Sequence, residues 1–326
     1  MKFAIISDVH GNLPALETVI EDARRQGAQS YIFVGDYCLS GPYPNECISF
    51  IRQMKNTYVI RGNEERYLEN LIGQDQTDWT DGQMQISYWC FRNISKENLD
   101  YLVSLPIHID FECNGIPIHV SHSSETYIDE CEFREWGPAL VAKRYQDTFT
   151  TQEILQNDIC NSFEKSEMFQ KEVSGLGKGI FIFGHSHVQW YYNAKNTHLI
   201  NPGSCGLPLD AIKDSVPYAI LNIEDDGQIQ VKQRRIPFDK EGYIESLMQT
   251  KQYEEAYVWS KVIIKELSAA KEHLTFFLEY ADKYAKKIKD DKRPFSIETW
   301  ERAYELWNDS LDYTCKKTID NNKYSD

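Results

Sequence analysis

Residues 1–64 alternate between two hydrophobic periodicities, and that alternation leaves few folds open. Residues 3–6 are a short apolar run that reads as a buried strand, ended by Asp8-Val9-His10-Gly11-Asn12. Over residues 13–26, Leu13, Leu16, Val19, Ile20 and Ala23 recur at helical spacing, with Gly27 as the cap. Residues 31–34 form a second apolar run ending at Gly35-Asp36, and residues 45–54 a second helix through Cys47, Ile48, Ile51 and Met54. Residues 58–60 form a third strand ending at Arg61-Gly62-Asn63-Glu64. Strand, helix, strand, helix, strand implies βαβ units and a largely parallel sheet.

Further along, residues 81–104 are helical and aromatic-rich, and residues 107–113 and 116–121 flank Asn114-Gly115 as a hairpin ending at His122. Residues 125–178 read as a mixed, mostly helical insertion lying over the mouth of a site. Another apolar run, 180–183, leads into Gly184-His185-Ser186-His187. Two more hairpins follow, 189–193 with 197–201 and 218–223 with 228–236, separated by the Gly-rich loop 201–206. Two layers of strands with helices outside is the natural packing. Residues 253–288 repeat apolar and aromatic positions at helical intervals until Arg293-Pro294 interrupts them, and Ser296 caps a last helix running to Thr314. The polar tail, 320–326, is expected to fray. No internal repeat is visible.

A formal net charge of -15 repels phosphate backbones, so stable nucleic-acid binding is not expected. A phosphorylated substrate would then need a local positive site, which bound metal ions provide. The 8 cysteines are irregularly spaced with no C-x-x-C pair, which fits reduced thiols better than a disulfide framework. No signal-peptide core and no membrane-spanning run is present, so the expected location is cytoplasmic.

The polar residues that close the apolar runs carry the chemistry. Asp8 and His10, Asp36, Asn63, His122, and His185 with His187 each sit just past a separate strand. Open α/β sheets gather their sites at the carboxyl ends of strands. Oxygens of the Asp and Asn type together with imidazoles suit borderline first-row metals rather than calcium or magnesium. Such a set is too large for one ion and sufficient for two, about 3.5–4 Å apart with one carboxylate bridging. Taken singly, each has a plainer role: Asp8, Asp36 and Asn63 as helix caps, His122 as a satisfied edge histidine. His119 is the competitor to His122, but strand alternation puts it on the other face from Ile118, Val120 and His122.

Together and in order, the segments Ser7-Asp8-Val9-His10-Gly11-Asn12, Val34-Gly35-Asp36, Arg61-Gly62-Asn63, Ser121-His122, Gly184-His185-Ser186-His187 and Asn201-Pro202-Gly203-Ser204 resemble the calcineurin-like metallophosphoesterases. The match is closest to the small bacterial and archaeal phosphodiesterase-type branch. The resemblance covers residues 1–236 and implies an αββα sandwich of two mixed sheets flanked by helices. Residues 124–178 would then be a helical insertion, and residues 237–326 a helical extension packed on the sandwich. It implies two divalent or trivalent first-row ions (manganese, iron, zinc or nickel). One would be held by Asp8, His10, Asp36 and His187, the other by Asp36, Asn63, His122 and His185, with Asp36 bridging. The family usually has Gly after the His that His122 matches, where Ser123 stands here. The implied activity is hydrolysis of phosphodiester or phosphoanhydride bonds in a small, nucleotide-type substrate by a hydroxide bridging the metals. Asp36 and Glu64 are the expected catalytic residues, and Arg61, Asn12 and Ser204 the expected substrate contacts. Many relatives carry His where Glu64 stands. A carboxyl is a poor acid near neutral pH unless its pKa is raised, so good leaving groups are expected. The alternative is a catalytically weakened metal-binding scaffold on the same fold; a nuclease is disfavoured by the charge.

Overall fold

The computed structural model describes residues 1–126 and 136–308. The first strand, β1 (Lys2–Ile6), is followed by α1 (Leu13–Arg25), β2 (Ser30–Phe33), α2 (Pro44–Gln53), β3 (Thr57–Val59) and α3 (Asn63–Glu69). Next come α4 (Gln85–Asn93), α5 (Lys96–Ser104), β4 (His108–Cys113) and β5 (Ile116–Ser121). Asn114 and Gly115 both take positive φ, as the two-residue hairpin turn demands. Then follow α6 (Pro138–Arg144), α7 (Gln152–Lys165), α8 (Glu167–Leu176), β6 (Gly179–Ile182), β7 (Trp190–Ala194), β8 (Thr197–Asn201), β9 (Ser215–Ile223) and β10 (Ile229–Pro237). The C-terminal part comprises α9 (Lys240–Leu247), α10 (Lys251–Glu255), α11 (Tyr257–Ala269), α12 (Leu274–Ile288) and a helix over 297–308. The expected end of that helix at Thr314, and the tail, lie outside the described residues.

Two five-stranded sheets form, in the orders β10-β9-β1-β2-β3 and β4-β5-β6-β8-β7. In the first, β1, β2 and β3 run parallel and β9 returns antiparallel beside β1. In the second, β5, β6 and β8 run parallel between two antiparallel edges. Alternation along each strand builds the layers. Phe3 and Ile5 of β1 meet Ile118, Val120, Ile180, Ile182 and Ile200 in an apolar seam between the sheets. Ala4 and Ile6 of the same strand face outward onto Leu16, Val19 and Ile20 of α1. Strands apolar on both faces are what a sheet covered on both sides requires.

Of the segment expected over the site mouth, residues 127–135 lie outside the described residues, and α7 and α8 sit elsewhere. Leu155, Ile159 and Phe163 of α7, with Phe169 and Val173 of α8, cover Phe181, Phe183, Trp190 and Leu199 on the outer face of the second sheet. Without that layer those four side chains would face water, so the sheet claims the helices. The periodic stretch 253–288 is divided among α10, α11 and α12. The last two part at Ala270, which takes the left-handed conformation and serves as the C-cap of α11.

Candidate metal centre

The carboxyl ends of β1, β2 and β3 and of β5 and β6 open onto one edge of the sandwich, and the loops leaving them are stitched together. Asp8 and His10 donate backbone N–H groups to the carbonyls of Gly35 (3.1 Å) and Asp36 (3.0 Å). Gly184 N–H reaches His122 O at 3.0 Å, and His185 N–H reaches across the sheets to the Asp8 carboxylate at 3.1 Å. Five of the residues gathered here hold φ in the left-handed region: Asp8 at 52°, His10 at 49°, Asp36 at 55°, His185 at 65° and His187 at 56°. Non-glycine residues adopt that region rarely, and it clusters where function over-determines the backbone. Gly62 is glycine because a Cβ there would run into the Asp36 carboxylate.

The side chains converge. Asp8, His10 and His187 bring ligand atoms within 4.8 Å of one another, as do Asp36, His122 and His185. His10 Nε2 and His187 Nε2 lie 3.0 Å apart, and His122 Nε2 is 3.1 Å from Asp36 Oδ2. The opposite ring nitrogens are anchored. His122 Nδ1 lies 2.6 Å from Val34 O, His187 Nδ1 lies 2.8 Å from Leu207 O, and His10 Nδ1 is 3.1 Å from Glu64 Oε1. Fixing Nδ1 on an oxygen turns the Nε2 lone pair toward a cation, as in carboxylate–histidine–metal arrangements. Asn63 Oδ1 is buried without a hydrogen-bond partner. A buried carbonyl oxygen left unpaired is destabilising, and a metal ligand bond would satisfy it. These donors fit a metal ion, and they gather in more than one group able to hold one.

The electrostatics point the same way. Asp8, Asp36, Glu64 and Glu65 are all buried close together. Burial disfavours the charged form of His122, yet Asp36 beside it holds its pKa up to about 10. His10 likewise reaches about 9, burial being outweighed by Glu64. Asp36 is pulled below the usual carboxylate range, the His122 imidazolium overcoming its burial. His187, buried and facing His10, is pushed well below the usual imidazole value. The cluster therefore draws in positive charge, as protons when nothing else is bound.

The other expected site residues fall differently. Both Glu64 oxygens are engaged, Oε1 by His10 and Oε2 by Leu39 N–H at 2.9 Å, and burial raises its pKa. Arg61 pairs with Glu69 Oε2 at 2.7 Å. Asn12 caps α1, accepting Ala15 N–H at 3.1 Å and donating to Gly206 O at 2.9 Å. Ser204 Oγ donates to Asp8 O and accepts Leu207 N–H, each at 2.8 Å. Arg61, Asn12 and Ser204 thus brace the loops, and none lines the cleft. His119 lies on the opposite face from His122, beside Asp110 and stacked on Phe181.

Glu65 went unnoticed in the sequence. Its carboxylate accepts the N–H groups of Gly62 (2.7 Å), Tyr37 (2.8 Å) and Asp36 (3.1 Å), fixing the loop that carries Asp36. Its position, third in a helix that follows Gly62, lets it reach back to the N–H of the N-cap residue, the acidic half of a capping box. The cleft at this edge, of about 740 Å³, is also walled by Trp259, Ile263, Leu274 and Leu278 from the C-terminal helices.

Known proteins bear on this arrangement. A family model described as the calcineurin-like phosphoesterase superfamily domain matches residues 1–226. An uncharacterised protein of Methanocaldococcus jannaschii is 27% identical over 252 residues, covering 72% of this chain and 87% of its own. A metallophosphoesterase from Sphaerobacter thermophilus superposes with TM-score 0.58 at 23% identity, over 83% of this chain and 99% of its own. A hypothetical protein from Pyrococcus horikoshii gives 0.55 at 18%, over 80% and 97%. These two solved structures share the sandwich. With the family model spanning every strand but β10 and all the donor-bearing loops, the chain belongs to the calcineurin-like phosphoesterase superfamily.

Proposed function

We propose that this protein is a dinuclear-metal-dependent phosphoesterase that hydrolyses phosphodiester or phosphoanhydride bonds in a small substrate. One observation carries the reading: the Nε2 atoms of His10, His122 and His187 cluster with the buried Asp8 and Asp36, and the unpaired Asn63 Oδ1 belongs to the cleft that His10, Asp36 and His187 also line. Asp8, His10, Asp36 and His187 would hold one ion, and Asp36, Asn63, His122 and His185 the other, with Asp36 common to both. The imidazole and carboxylate donors suit manganese, iron, zinc or nickel. Bound there, two cations supply a nucleophile from water and neutralise charge on the phosphoryl oxygens.

The protein's own groups hold that geometry. Glu65 fixes the Asp36 loop, and the Val34 and Leu207 carbonyls set the His122 and His187 rings. Glu64 orients His10, so we assign it as a positioning residue, not as the acid for the leaving oxygen. Without such an acid, esters of acidic alcohols and anhydrides are the better substrates. The test is metal analysis together with turnover of bis(4-nitrophenyl) phosphate in manganese. We expect about two ions per chain, and in Asp36→Ala a loss of hydrolysis of at least about a hundredfold. Unactivated alkyl phosphomonoesters emerging as the best substrates by kcat/KM would contradict the assignment of Glu64. The engagement of both Glu64 oxygens also favours a second reading, a metal-binding scaffold with weakened catalysis. Full metal loading with no turnover on any phosphate ester would select it.

A further inference from the structure

The cleft extends well beyond the donors, and its far wall has a consistent character. Trp259, Ile263, Leu274 and Leu278 from α11 and α12 line it, together with Met84 and Ile86. Trp259 is fixed by its indole N–H, which donates to Gln83 O at 2.6 Å. Two nearly buried carboxyls, Glu266 and Glu272, border the same wall. Glu266 Oε1 accepts the N–H groups of His273 and Leu274, each at 2.8 Å, and Glu272 Oε1 accepts Thr275 N–H at 2.6 Å. Among the described residues no Lys or Arg lines the cleft, whereas Asp36, Glu64, Glu266 and Glu272 do. Metal ions at the donor end would answer the charge of one phosphoryl group. Among the described residues, no cationic side chain at the α11–α12 end offers a partner to a second anion.

We infer that the wall built by α11 and α12 is a specificity subsite for the organic group of the phosphate ester, and that it accepts a planar apolar group carrying no negative charge of its own. The inference rests on the phosphoesterase reading for the placement of phosphate at the donor end. Burying an aromatic ring against indole and aliphatic side chains is favourable by transfer from water alone. A second phosphate or a carboxylate in the same place would be desolvated beside carboxyls with no counter-charge. Within the proposed substrate range, the subsite favours phosphodiesters of aryl or base-like alcohols and disfavours polyphosphates. The C-terminal helices thereby gain a role in selection.

Binding can be read separately from turnover. Manganese-loaded full-length protein is titrated by calorimetry with inorganic phosphate, phenyl phosphate and 4-carboxyphenyl phosphate. Phenyl phosphate is expected to bind about tenfold more tightly than either of the others, a ring's burial set against a repelled carboxylate. Two variants place a cation in the wall: Leu278→Lys at a half-buried position and Thr275→Lys at an exposed one. Each should reverse the order of the two aryl phosphates, and Thr275→Lys guards against a folding defect in the other. Equal affinities for the three ligands in all proteins, or no binding of any, would overturn the subsite. Binding in this order with no hydrolysis of bis(4-nitrophenyl) phosphate would instead sink the catalytic reading and leave the subsite standing.

Discussion

Single residues at the cluster divide into those that aim at the shared space and those that hold the aim. Asn12 belongs to the second kind, since both ends of its amide are committed within the protein. Asn12→Ala should therefore lower unfolding stability by about 1–2 kcal/mol, the usual loss for a helix cap. Calorimetric phosphate affinity should change far less; the reverse pattern would restore Asn12 as a substrate contact. Asp22 offers a titration. It accepts the Tyr218 hydroxyl (2.5 Å) and Arg234 Nε–H (2.7 Å), tying α1 to β9 and β10. Burial works against its charge, but the bonds from Arg234 and Tyr218 lower its pKa. A carboxyl depressed in the folded state stabilises above its unfolded pKa, and that contribution is lost as pH falls through the folded value. Asp22→Asn should thus destabilise by about 1 kcal/mol near neutrality. The gap to the wild type should close below about pH 4, near the unfolded carboxyl pKa. A gap that persists unchanged in acid would mean that the carboxylate charge is irrelevant there. Legibility at this scale followed chemistry. The Asp, Asn and His residues closing apolar runs announced themselves by type and position. The partners of Arg61, Asn12 and Ser204 did not, because a polar side chain in a loop can turn either toward a ligand or back onto its own backbone.

Among the elements, the period of the apolar pattern located the strands and helices of residues 1–60 within a residue or two, whereas the long helical stretches 81–104 and 253–288 each proved to hold more than one helix; the hairpin turn at Asn114-Gly115 was legible from its dipeptide. Which surface each amphipathic helix covers was not legible, since periodicity gives a face without its destination. Helices α7 and α8 show this: their apolar stripe is explained by Phe181, Phe183 and Trp190 beneath it, not by a ligand. Phe163 is fully buried there, stacked on Phe169 with ring centroids 4.1 Å apart. Phe163→Ala should cost about 3–5 kcal/mol in denaturant unfolding, the range for a buried aromatic. A loss under about 1 kcal/mol, which is within the range of surface substitutions, would indicate that α7 and α8 are loosely held.

At the scale of the whole molecule, one charge imbalance stands out. Asp8, Asp36, Glu64 and Glu65 are packed into the edge where the sheets meet, and cations bound there stabilise the folded state and not the unfolded one. Stripping metal with a chelator should lower Tm, and manganese should restore it, raising the unfolding free energy by roughly 2.7 kcal/mol at a hundred times Kd. Identical melting with and without manganese would remove the cations from the account. The alternation of strands and helices made the sandwich readable as a whole. The joint use of one cleft by the donor loops and the C-terminal helices was hidden, because Leu274 and Leu278 look in sequence like any helix face.

The N–H of His185 resting on the Asp8 carboxylate has a temporal corollary. Donors near the first residues of the chain have their counterparts beyond residue 180, on the other sheet. A growing polypeptide leaving the ribosome would thus carry half a centre, unable to sequester ions, until the second layer of strands has emerged and docked. If the centre holds metal as proposed, loading would be completed only when His185 and His187 join the donors already made, a closing event of biogenesis.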